Sequence, residues 1–262
     1  MTLLLMPVYR FGRTDSLQRR VAALWFGAVG HIIGVQLRAS GQAHPGGPKH
    51  GPALYVANHV SWLDIIVLGM KLDAVFVAKC EVADWPLLGR LARMRRCIFI
   101  TRQVAQVGGE VAIIRSHLQA GRNVILFPEG TTGDGGKLLP FKSAMLAAAD
   151  GVYEVRVQPV SIAYPDMVRG GSDASLAWCG EMAMLPHLLS VLRRPNAPAR
   201  LHFHPPLAAA DFTSRKALAE ACRAHIAGGM GRLLAPAQNK EGEYEIEPSV
   251  WDGSSAGQST AY

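Results

Sequence analysis

Cysteine is scarce in this 262-residue sequence and never clustered: Cys80, Cys97, Cys179 and Cys222 include no C-x-x-C pair. That spacing offers no zinc site, and a disulfide framework does not suit a chain of this length, so a reducing compartment is the simplest fit. Charge is thin as well, at 18% of residues, and no acidic side chain stands between Trp85 and Gly109. Long apolar runs are missing. The best candidate, Val21 to Leu37, is broken by His31 and Gln36, and it falls short of the ~20 residues that cross a bilayer as a helix. No small-residue cleavage site follows it, so it does not read as a signal peptide. Two enzyme signatures are also absent. There is no G-x-S-x-G, and Gly136-Lys137 fails as a phosphate loop at both Thr131 and Leu138. A serine hydrolase of the elbow type and a nucleotide triphosphatase are therefore disfavoured.

What is present describes a greasy, basic, foldable chain. The hydrophobic fraction of 49% and the mean hydropathy of +0.14 are high for a soluble enzyme and too low for a multi-span membrane protein. One lysine against five carboxylates makes residues 236–262 −4, which leaves +11 on residues 1–235. A basic body attracts polyanions: nucleic acid, anionic lipid headgroups or an acidic protein carrier. Arg19, Arg20 and Arg38 flank the run from Val21 to Leu37. That run reads as a helix lying on or embedded in a bilayer with a basic rim, and a buried core helix is the competing reading.

The sequence predicts an N-terminal membrane-associated helical region over 1–40, a Gly/Pro-rich linker "GQAHPGGPKHGP" over 41–52, a main domain over 53–235 and an acidic, disordered tail over 236–262. Short apolar runs at 53–57, 74–78, 97–100, 124–127, 157–164 and 200–204 read as strands. Val107, Val111, Ile114 and Leu118 fall at helical spacing with Gly121 as the stop, and further helices are predicted over 141–149 and 213–235. The fold class is α/β: a mixed, largely parallel sheet flanked by helices, with the N-terminal membrane-associated helical segment attached. Three of these strands end in chemically capable groups: Asn58-His59, Thr101-Arg102 and Pro128-Glu129-Gly130. In a parallel sheet those ends share one edge, where α/β proteins bind ligands.

The stretch "NHVSWLD" (58–64) puts a histidine just before a helix and an aspartate in its first turn. From there the carboxylate can reach back to one ring nitrogen, fix the tautomer and raise the basicity of the other. A satisfied core histidine beside a routine helix cap accounts for the same spacing. A metal site is not indicated, because the motif has no second histidine, and "HFH" at 202–204 lacks an acidic or cysteine partner. The loop "GDGGK" (133–137) reads either as a backbone cradle for a polar headgroup or as a flexible surface loop. Of Arg90, Arg93, Arg95, Arg96 and Arg102, two or three form a solvated basic face, and Arg102, at a strand end, is the ligand candidate.

Four blocks in order, "NHVSWLD", "CIFITR", "FPEGTT" and "VQPVSIAY", resemble those of the glycerolipid acyltransferases, the group that includes bacterial 1-acylglycerol-3-phosphate acyltransferase. The resemblance covers about residues 53–165. It implies transfer of a fatty acyl group from acyl carrier protein or a coenzyme A thioester to a lysolipid hydroxyl. No metal, no cofactor and no covalent enzyme intermediate take part. It also implies a place at the cytoplasmic face of a bacterial inner membrane. Carried onto this chain, His59 is the base and Asp64 its orienter; Arg102, Glu129, Gly130 and Thr131 hold the acceptor headgroup, and Pro159 shapes the site. One departure bears on the acceptor: the arginine that usually follows E-G-T is Thr132 here, although Lys142 and Arg102 remain available to an anionic headgroup. With "AWCGEMAMLPHLL" (177–189), this resembles the lyso-ornithine lipid acyltransferases of the same family, whose acceptor lacks a phosphate. Two readings compete with catalysis. One is a lipid-binding scaffold; the other is a basic nucleic-acid-binding domain on the arginine run, where Phe99 is the lone interleaved aromatic.

Overall fold

The computed structural model describes residues 15–47, 49–80, 97–101 and 106–235. Arg90, Arg93, Arg95, Arg96, Arg102 and the acidic tail lie outside them. The elements in chain order are α1 (Asp15–Ile33), β1 (Val35–Ser40), β2 (Ala53–Ala57), α2 (Leu63–Gly69), β3 (Val75–Lys79) and β4 (Ile98–Ile100). Next come α3 (Val107–Gln119), β5 (Val124–Leu126), a 3-10 stretch (Ser143–Ala149) and β6 (Arg156–Ala163). The chain then forms α4 (Met184–Leu192), β7 (Ala197–Phe203), β8 (Leu207–Ala208), a 3-10 turn (Ala209–Asp211) and α5 (Arg215–Leu234).

One sheet carries the order β1-β7-β6-β2-β5-β3-β4, with β8 paired to β6. β6, β2, β5, β3 and β4 run parallel to one another; β7 is antiparallel to β6, and β1 is parallel to β7. The central strands are apolar on both faces because both faces are covered. Tyr55, Ile125 and Phe127 join the core beneath α1, α2 and α4, whereas Leu54, Val56, Val124 and Leu126 join the core beneath α3, the 3-10 stretch and α5. Gly229 lets α5 lie against β6: a β-carbon there would collide with Ser161 Oγ and the His204 ring.

Besides the 3-10 stretch Ser143–Ala149, which stands where a helix is predicted over 141–149, two regions depart from the sequence-based expectation. The N-terminal helix stops at Ile33 rather than continuing to Leu37, because Gly34 turns the chain at φ +77°. Val35–Ser40 then forms an edge strand of the main sheet, where Val35, Leu37 and Ala39 pack inward and Gln36 and Arg38 face out. That is a period of two hidden inside what reads as one apolar helical run. The other departure is α4, for which no helix was predicted; its Pro186 falls in the first turn, where a missing N–H costs nothing. Among the described residues no helix is long and apolar enough to cross a membrane.

Candidate active site

β2, β5 and β6 are neighbours and parallel, so their carboxyl ends deliver Asn58-His59, Phe127-Pro128-Glu129 and Tyr164 to one edge. Asn58 clamps two of them together: its Nδ2 donates to the Ile162 carbonyl at 2.9 Å, and its Oδ1 accepts from the Ile162 N–H at 2.8 Å. Immediately beyond, the His59 ring stacks on Phe127 with centroids 4.1 Å apart and planes 14° from parallel.

His59 Nδ1 lies 2.7 Å from Asp64 Oδ2. Asp64 is wholly buried and accepts from three further donors: the Val60 N–H at 2.7 Å, the Ser61 N–H at 3.0 Å and the Tyr164 hydroxyl at 2.7 Å. The Val60 and Ser61 N–H groups can only donate, so the carboxylate oxygen that His59 Nδ1 faces is an acceptor. Nδ1 therefore carries the ring proton, and the lone pair at Nε2, which meets no hydrogen-bond partner among the described residues, is left as a base. The capping pattern Ser61-x-x-Asp64 is half made. Asp64 receives the Ser61 N–H, but Ser61 Oγ is buried without a partner and no side chain caps α2. Burial and the Asp64 charge hold the Tyr164 hydroxyl well above its ordinary range, so it remains a donor.

Glu129 braces the same backbone from the other side. Its Oε1 accepts the His59 N–H at 2.7 Å and its Oε2 accepts the Leu139 N–H at 2.9 Å, which folds the Gly-rich loop back on itself. The Gly133 N–H closes onto the His59 carbonyl at 2.8 Å. Gly130 takes φ +73°, a left-handed conformation that glycine adopts without strain, and Lys142 Nζ passes close by, 3.0 Å from where a β-carbon would stand. Burial raises the Glu129 carboxyl to about 7 from an ordinary 4.5; the N–H bonds from His59 and Leu139 and the Arg223 charge pull it down, and Asp64 pushes it up.

Because the folded state holds this proton more tightly than the unfolded chain, the stability it contributes is complete below about pH 4.5 and is lost as pH rises through about 7. Glu129→Gln does not titrate. Between about pH 4 and about pH 8 the variant gains on the order of 3 kcal/mol relative to the parent in urea unfolding. A difference that is flat with pH would show that the carboxyl titrates as an ordinary glutamate.

Of the residues singled out in the sequence, His59, Asp64 and Glu129 come together, with Gly130 and Lys142 beside them. Thr131 is exposed and Thr132 half-buried on the same loop. Pro159 sits lower, buried in β6 opposite Val56, and its carbonyl accepts from the His204 N–H at 3.0 Å. Arg102 is outside the described residues. Sequence reasoning missed Asn58, Phe127 and Tyr164 as parts of the site. The available signal was that each is an aromatic or amide group directly following a strand.

Residues 42–163 match the family model described as Acyltransferase. The lyso-ornithine lipid O-acyltransferase of Brucella abortus is 38% identical over 213 residues, covering 77% of this chain and 78% of that protein. The chain belongs to the acyltransferase family. A second lyso-ornithine lipid O-acyltransferase, from Rhodobacter capsulatus, is 39% identical to this acyltransferase over 205 residues, covering 77% and 72% of the two chains. The 1-acyl-sn-glycerol-3-phosphate acyltransferase of Neisseria gonorrhoeae is 36% identical over 140 residues, 53% of each chain. The acyltransferase also shares its fold with the crystal structure of the 1-acyl-sn-glycerophosphate (LPA) acyltransferase of Thermotoga maritima, at a TM-score of 0.65 and 22% identity over 90% of this chain and 89% of that one.

Proposed function

We propose that this acyltransferase moves a fatty acyl group from an acyl carrier protein or coenzyme A thioester to the free hydroxyl of a membrane lysolipid, with His59 as general base. The carrying observation is the His59 Nδ1–Asp64 contact of 2.7 Å on a ring whose Nε2 meets no partner among the described residues. Nε2 removes the acceptor's hydroxyl proton as the oxygen attacks the thioester carbonyl. Asp64 balances the imidazolium so formed. The tetrahedral intermediate then expels the thiolate, which takes the proton from His59, so ester and thiol leave and the imidazole is neutral again. The oxyanion needs aimed donors. The N–H groups of Val60 and Ser61 are taken up by Asp64, and that of Gly130 by Phe127. The N–H groups of Thr131 and Thr132, in the loop beside His59, meet no acceptor among the described residues and serve that role.

For the acceptor, lyso-ornithine lipid fits better than lysophosphatidic acid. Thr132 removes a guanidinium where a phosphate would dock. The Brucella and Rhodobacter relatives named for lyso-ornithine lipid each cover 77% of this chain, against 53% for the Neisseria gonorrhoeae relative named for the phosphate acceptor. Both acceptors reside in a bilayer and both donors are made inside cells, so the enzyme works on the cytoplasmic face of the bacterial inner membrane. Offered lyso-ornithine lipid and lysophosphatidic acid with one acyl donor, it shows kcat/KM at least roughly tenfold higher for the ornithine headgroup, a margin of one well-placed charged contact. A preference of the opposite sense would assign Lys142 and Arg102 to a phosphate.

A further inference from the structure

We propose that the outer face of α4, together with the exposed Leu24 and Ile32 of α1, is the surface this acyltransferase lays on an anionic bilayer; the proposal rests on the lysolipid reading above. Along α4, His187 and Val191 are buried, whereas Leu185, Leu189 and Leu192 are 64%, 42% and 43% exposed. Spacings of four and three put the three leucines in one ridge. Met182, just before the helix, is 46% exposed, and on α1 Leu24 and Ile32 are 73% and 64% exposed. Single exposed leucines need no explanation, but a contiguous ridge does.

The ridge stands at the edge that holds the site. The Ala197 N–H donates to the Gly34 carbonyl at 2.8 Å, joining the chain just past α4 to the chain just past α1. β7 and β1 start there, and they run opposite to β2, β5 and β6. Their starts therefore lie at the edge where β2, β5 and β6 finish and His59 stands. α4 and the segment before it are also tied to the histidine motif: Trp62 Nε1 donates to His187 Nδ1 of α4 at 2.9 Å, and the N–H of Trp178, ahead of the helix, donates to the Val60 carbonyl at 2.9 Å.

Charge identifies the occupant. Between Ala174 and Asn196 the one acidic residue is Glu181, and two arginines close the helix. Arg194 is already paired with Asp173 at 2.6 Å, but Arg193 faces solvent beside Leu192, as does Arg20 on α1. An apolar ridge with a cationic end fits an anionic headgroup layer over acyl chains.

Full-length protein is floated with phosphatidylglycerol/phosphatidylethanolamine vesicles and with phosphatidylcholine vesicles. The triple variant Leu185→Ser, Leu189→Ser, Leu192→Ser binds the anionic vesicles at least roughly tenfold more weakly. Its transfer to a vesicle-embedded acceptor falls in step, while transfer to a short-chain acceptor dissolved as monomer stays within about twofold of the parent. Arg193→Glu removes the preference for anionic over neutral vesicles. Independently of the triple variant's folding, Leu189→Trp adds emission that brominated acyl chains quench beyond the parent's level. His59→Ala floats as the parent does, so loss of chemistry and loss of docking are read separately. Unchanged flotation of the folded triple variant, or no added quenching at Leu189→Trp, overturns the proposal. So does a shift from dimer to monomer in light scattering with flotation intact, which would assign the ridge to a second copy of the chain.

Discussion

Replacing His59 with alanine lowers kcat/KM for acyl transfer by at least roughly 10²–10⁴, the range that a positioned general base supplies, and leaves the fold standing. The reason lies in which bonds the ring makes. The substitution removes the stack on Phe127 and one of the four donors to Asp64. The His59 N–H that Glu129 holds, the His59 carbonyl that Gly133 holds, and the Val60, Ser61 and Tyr164 donors all remain. The side chain is 17% exposed, so its removal opens a dent rather than a sealed cavity. Activity is read with saturating donor, and folding by urea unfolding on the same preparation. Full transfer by a folded His59→Ala protein would end the general-base mechanism.

Asp64 carries the opposite balance, and its two substitutions separate chemistry from stability. Asp64→Ala leaves the Val60 and Ser61 N–H groups, the His59 ring N–H and the Tyr164 hydroxyl without their acceptor at the wholly buried position of the carboxylate. Each stranded donor costs about 1–3 kcal/mol, and with partial relaxation the loss is on the order of 5 kcal/mol. For a chain of marginal stability that is enough to unfold a large fraction of molecules. Asp64→Asn behaves differently. With its oxygen placed toward His59, Val60 and Ser61, its amide nitrogen meets the Tyr164 oxygen, and that hydroxyl can turn to accept. The fold survives, but no negative charge remains to balance the imidazolium, and kcat drops steeply. Urea unfolding and kcat on both variants check this. An Asp64→Ala protein as stable as the parent would mean that the four bonds add no net stability.

How much of this was legible without coordinates follows from which interactions are local. The central strands were readable because Ala53–Ala57 and Val124–Leu126 are apolar at every position, as strands covered on both faces must be. The His59–Asp64 contact was readable because five residues at a helix start set it. Glu129 could be placed near them only on the assumption of parallel strands, which the pairing of β2 with β5 satisfies. Tyr164 and Asn58 were not readable, because their partners, Asp64 on α2 and Ile162 on β6, lie about 100 residues away in sequence, and a strand does not announce what the side chain after it will meet. β1 was hidden because Val35-Gln36-Leu37 extends a helical apolar run, and only Gly34, with its positive φ, divides the two periods. In α4 nearly every position is apolar, so periodicity does not separate the buried His187–Val191 side from the exposed leucines.

The bonds that hold the histidine motif in place span long stretches of chain: His59 to Glu129 across 70 residues, and Asp64 to Tyr164 across 100. A ribosome-bound polypeptide that has not yet released β6 (Arg156–Ala163) thus owns the histidine but not the phenol that steadies its partner. The His59–Asp64–Tyr164 arrangement is thus complete only once β6 has joined β2, and whatever unzips those two strands takes the arrangement apart with them.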